Sequence, residues 1–133
     1  MKTITFVSEI ANAGDTRYIP VPCRGVVHSA KYTADAALVA DKTVIISRDT
    51  DAVNTATAPT GDTAAGAILE GVPTAAVPPA DDRYLIFDPD SATVTDQVLK
   101  IIYLAALVGA AATVTTVIEF DDAAYVKAAP SEA

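Results

Sequence analysis

Tryptophan is absent from this 133-residue sequence, phenylalanine occurs three times, and cysteine, histidine and methionine occur once each. A single cysteine cannot close an internal disulfide, so the fold does not depend on an oxidising compartment. One histidine and one cysteine are too few for a zinc site built from three or four such donors. Without tryptophan and with few other aromatics, a stacked carbohydrate groove is disfavoured. Basic residues are also scarce: nine Lys and Arg stand against seventeen Asp and Glu, a net charge of −8. That balance repels phosphate backbones and anionic membrane surfaces, which argues against nucleic acid and membrane as partners. Phosphate-binding motifs are missing too. "PTGDTAAG" lacks the Gly-Lys-Ser/Thr ending of a phosphate loop and the three-glycine spacing of a dinucleotide turn, and no Lys or Arg occurs between Arg48 and Arg83.

What is present is small, β-branched and alternating. Half of the residues are hydrophobic, many of them Ala and Val, and the length suits one domain with one core. "TITFVSEI" places Ile4, Phe6, Ser8 and Ile10 on one side and Thr3, Thr5, Val7 and Glu9 on the other, the pattern of a half-buried strand rather than of a leader segment. "AGDTRYIPVPCRG" follows. Pro20 and Pro22 lack N–H groups, which confines this segment to an edge strand or an extended arm.

Further strands are expected at 23–33, with Val27, Ser29 and Lys31 opposite Val26, His28, Ala30 and Tyr32, and at 41–49. "ADAALVA" between them reads as a short helix or a strand bend. Residues 55–82, rich in Ala, Thr, Gly and Pro, read as a long excursion within one domain, with one short strand, "GAILEGV", at its centre. "DRYLIFDPD" reads as another strand closed by Asp-Pro-Asp, and "ATVTDQVLKIIYLA" and "ATVTTVIEFDD" as two long ones. In the last, Val114, Thr116, Ile118 and Phe120 share a face. The uncharged run 101–118 is explained by two strands meeting near Gly109 rather than by a membrane span. The expected fold is all-β: an antiparallel β-sandwich of about eight strands, jelly-roll-like, in a single domain over 1–122. Residues 1–22 form an N-terminal strand and extended arm in this reading, and 123–133 a flexible tail.

Catalytic signatures are weak. Cys23 and His28 lie five residues apart, ~16 Å along a strand and on opposite faces, which is unsuited to a nucleophile and base. Three acidic groups, Asp49, Asp51 and Asn54, then Asp88, Asp90 and Asp96, then Glu119, Asp121 and Asp122, offer oxygen ligands, yet none continues into a calcium loop. They read as solvated turn carboxylates. Asp81 and Asp82, neighbours in one loop, give no glycosidase geometry.

The order of elements, a β N-terminus, a Pro-rich edge, "GVVHSAKYTADAALVADKTVIISRD", an Ala/Thr/Gly/Pro middle, then "DRYLIFDPDSATVTDQVLKIIYLAALVGAAATVTTVIEFD", resembles the head decoration or cement proteins of tailed bacteriophages over residues 17–122. Several of those are jelly-roll-like sandwiches that sit on the outer capsid surface, commonly as trimers. The resemblance implies a virion structural protein that bridges capsomers, with the major capsid protein and its own copies as partners, no cofactor and no catalysis. Ile4, Phe6, Tyr18, Ile19, Pro20 and Pro22 are then the expected interface residues, because proline-containing extended segments dock against edges without a full set of ladder bonds. Two alternatives stand beside it. One is a carbohydrate- or host-surface-binding module of a small fibre or adhesin. The other is an enzyme on a cupin-like fold, which a single histidine leaves without its usual metal centre.

Overall fold

The computed structural model describes residues 1–73 and 86–122. They form an all-β structure of two antiparallel sheets packed as a sandwich. The strands are β1 (Lys2–Ile10), β2 (Asp15–Pro20), β3 (Val26–Ala34), β4 (Thr43–Arg48), β5 (Asp51–Thr57), β6 (Ile68–Glu70), β7 (Val72–Pro73), β8 (Val98–Tyr103) and β9 (Ala112–Asp121). One sheet has the order β1-β9-β3-β6, the other β2-β8-β4-β5-β7. Consecutive strands from β1 to β4 alternate between the sheets. The pairs β1–β9, β2–β8, β3–β6 and β4–β5 therefore match the strands up to β4 with those from β5 onward, as the two arms of one long hairpin would.

Alternation along each strand decides which residues fill the space between the sheets. From the first sheet come Ser8 and Ile10 of β1, Ala30, Tyr32 and Ala34 of β3, Leu69 of β6, and Val114, Thr116, Ile118 and Phe120 of β9. Val44 and Ile46 of β4, Asn54 and Ala56 of β5, and Leu99, Ile101 and Tyr103 of β8 are their buried counterparts in the second. Each large apolar side chain so enclosed contributes about 1.5–3 kcal/mol. Phe87 and Phe120 meet at 6.1 Å between ring centroids with the planes tilted by 56°, an edge-on arrangement favoured by the ring quadrupoles.

Several sequence expectations hold. β1 and β9 have the predicted inward faces, β2 with Pro20 lies at a sheet edge, and the 101–118 run divides between β8 and β9 with Gly109 in the turn. Others are corrected. His28 is the extra residue of a bulge between Val27 and Ser29, so Val27 packs on the core on the same side as Ala30; the bulge reverses the alternation expected there. Residues 35–40 form neither helix nor regular strand, and Leu38 instead bridges Thr63 and Val108. The excursion does not start at 55. Asp51–Thr57 is a full strand whose inward residues are Asn54 and Ala56. "GAILEGV" is two strands, one per sheet: β6 pairs with β3, β7 with β5, and Gly71 stands between them. The long strand expected over 92–105 is a short 3-10 turn, Val94–Asp96, followed by β8. Of "DRYLIFDPD", Ile86 and Phe87 are buried and Phe87 pairs with Gly25, while 82–85 and the tail 123–133 lie outside the described residues.

Candidate interaction surface

The expected interface residues separate by face. Ile4, Phe6 and Ile19 point inward and pack partly buried against the core. Tyr18, Pro20 and Pro22 point outward, Tyr18 with 61 % of its surface exposed. β1 and β2 stand at edges of the two sheets and are tied together where the Arg17 Nη2 donates to the Glu9 carbonyl at 3.0 Å. The same guanidinium pairs with the Asp15 carboxylate at 2.7 Å.

The hydrogen-bond direction along these edges follows from their neighbours. On the inner side of β2, the Val21 N–H reaches the Gln97 carbonyl beyond the end of the β2–β8 ladder, so the odd-numbered residues of β2 bond to β8 and the even ones face out. Among those, the Thr16 N–H is held by the Asp15 side chain at 2.8 Å and Pro20 has none. The β2 edge is thereby nearly closed. β1 differs. Thr113 of β9 exchanges bonds with Asp35, donating its N–H to Asp35 Oδ1 and accepting from the Asp35 N–H. Thr113 therefore bonds away from Glu9, its register partner in β1. The odd residues of β1 accordingly direct their N–H and C=O groups out of the sheet.

Candidate chemical sites are occupied structurally or stand apart. His28 is exposed at the bulge, whereas Cys23 is half-buried with its thiol pushed up by burial and, secondarily, by the Asp122 charge. Asp88 is bound by Arg24 at 2.6 Å. Arg48 reaches Asp96 at 3.5 Å and donates to the Ile86 carbonyl at 2.9 Å. These carboxylates, read from sequence as solvated, instead fasten the 86–97 segment to the ends of β3 and β4. Glu119 accepts from the Ser29 hydroxyl at 3.0 Å, and Asp122, paired with the Met1 amine at 3.1 Å, has its carboxyl lowered by that bond. No group of three or more His, Cys, Asp or Glu among the described residues is placed to hold a metal ion. A shallow open recess of about 200 Å3, lined by Glu9, Asp35 and Ala111 to Thr113, is the cavity near the β1 end. No described helix is long and apolar enough to cross a membrane.

Sequence reading missed the polar centre of the core. The Tyr103 hydroxyl lies 2.8 Å from Thr116 Oγ1, while the Tyr32 hydroxyl beside it has no partner among the described residues. Alternation marks these positions as inward but gives no sign that their polar ends would meet. Comparison with family models, with curated proteins and with solved structures finds no match to this chain.

Proposed function

We propose that the chain is a non-catalytic structural domain that decorates the outer surface of a tailed-phage capsid, with the major capsid protein as its partner and its copies associating as a homotrimer. We further infer that the sandwich is wound as a jelly roll. The strand orders β1-β9-β3-β6 and, apart from the two-residue β7 at its edge, β2-β8-β4-β5 support that winding, because they match what a four-pair hairpin wrapped around a barrel produces. The same order is the observation that carries the functional reading, since it agrees with the fold implied by the resemblance. The engagement of the acidic groups in ion pairs and of the tyrosines in the core agrees with a protein that works through its surface. An acidic chain of charge −8 is suited to the outside of a shell whose interior holds DNA.

The shell-facing patch in this proposal is the outward side of β2 and the turn after it: Tyr18, Pro20 and Pro22. Deleting the N-terminal segment would be a poor test, because β1 supplies Ile10 and a whole ladder to the core. The informative experiment is co-sedimentation of the purified chain with expanded shells of the phage that encodes it, comparing the wild type with Tyr18→Ala combined with Pro22→Ala. Saturable binding by the wild type and at least a tenfold loss in the folded variant are expected. A wild-type chain that stays in the supernatant at saturating shell concentration would overturn the proposal.

A further inference from the structure

Sheet edges carry unpaired backbone groups, and proteins blunt them with short strands, proline, bulges or charge. Three of the four edges here are treated in this way. β6 has three residues, β7 two ending in Pro73, and β2 has Pro20 together with an N–H capped by Asp15. β1 is the exception. It runs nine residues without proline, in unbroken register with β9. Thr3, Thr5 and Val7 present three N–H and three C=O groups outward, and none has a partner among the described residues. Their side chains are exposed as well, Val7 by 62 %.

We propose that the β1 edge is the contact surface for a second copy of this chain, joined antiparallel across a two-fold axis at Thr5. Three observations select this occupant and register. Thr5 on the axis places Thr3 opposite Val7 of the copy. The outward groups of Thr3, Thr5 and Val7 are then used completely, each facing pair exchanging both of its bonds. Shifting the axis to Phe6 would instead require the Glu9 carbonyl, which Arg17 already occupies. On the inward face, the same register sets Ile4 beside Phe6 of the copy, and these are core-facing side chains that one chain leaves only partly buried. Lastly, the strand is cationic at one end, Lys2, and anionic at the other, Glu9. Antiparallel pairing in this register sets Lys2 opposite Ser8 and Glu9 opposite Met1 of the copy, so no like charges face each other, whereas in-register parallel pairing would set Lys2 beside Lys2 and Glu9 beside Glu9. The contact joins the two four-stranded sheets into one eight-stranded sheet. It uses a different edge from the shell-facing patch, so it stands or falls independently of capsid binding.

The test is the mass of the purified full chain by sedimentation across a wide concentration range, beside that of Thr5→Pro and Val7→Lys. The N–H of Thr5 points away from β9, so proline there removes an intermolecular donor and leaves the β1–β9 ladder intact. Val7→Lys adds charge at an exposed position and keeps every backbone bond. The wild type is expected to sediment at an even multiple of 13.7 kDa, a hexamer where the two-fold contact joins two of the homotrimers proposed above, with its association weakened at least tenfold by either variant while circular dichroism is unchanged. A monomer or an odd-numbered assembly at all concentrations would overturn the proposal, as would unchanged association of folded Val7→Lys.

Discussion

Tyr32 and Tyr103 are two hydroxyls in one core with opposite standing. Tyr103 bonds Thr116, so Tyr103→Phe should cost about 1 kcal/mol in denaturant unfolding, leaving Thr116 without that partner. Tyr32→Phe gives up no hydrogen bond to a described residue and should leave stability unchanged or raise it by up to ~1 kcal/mol. Burial raises both hydroxyls above their ordinary value of 10.0. The unfolded chain therefore releases these protons first as pH rises, and the folded state binds more protons in that range. Stability should be level with respect to these groups below pH 10.0 and fall above it, and Tyr32→Phe should make that alkaline decline shallower. Backbone positions give equally local tests. Ala106 has φ 64°, a left-handed conformation that glycine adopts without strain, so Ala106→Gly should raise the melting temperature by an amount equivalent to ~0.5–1 kcal/mol. Gly71→Ala should do the reverse by more than ~2 kcal/mol, because a Cβ there would overlap the buried Asn54 side chain.

Among the elements, strands with large inward residues were legible and strands with small ones were not. β9 shows Val114, Ile118 and Phe120 at a period of two, and β1 shows Ile4, Phe6 and Ile10, so both could be assigned with their faces. β5 buries Asn54 and Ala56, whose sizes and polarity give no alternation signal, and its threonines read as loop. The bulge at His28 was hidden for a related reason: pairing with β9, not local sequence, inserts the extra residue. The edge position of β2 was readable because proline carries a definite hydrogen-bonding consequence. The outward direction of the β1 amides was not, since it depends on how Thr113 bonds to Asp35 across the sheet. At this scale, amide exchange should be slowest in β9, β3, β8 and β4, which have strands on both sides, and fastest in β6 and β7. Protection in β6 equal to that in β9 would contradict the pairing.

For the whole molecule, each half of the chain is incomplete without the other. Among the described residues β1 finds its only ladder in β9 and β2 in β8, so most of these sheet contacts join residues far apart in sequence. Folding should be correspondingly slow, in about the millisecond-to-second range expected of β-sandwiches, which stopped-flow refolding measures. The pairing of β1 with β9 also brings Lys2 opposite Phe120. The outer ends of β1 and β9 are therefore neighbours. A circular permutant in which a short linker joins Asp122 directly to Met1, with a new break at Gly61, where the turn has open space around it, should recover the same sheets. The fold could then carry inserted cargo on the 59–62 turn, with β1 and β9 held together as one continuous piece.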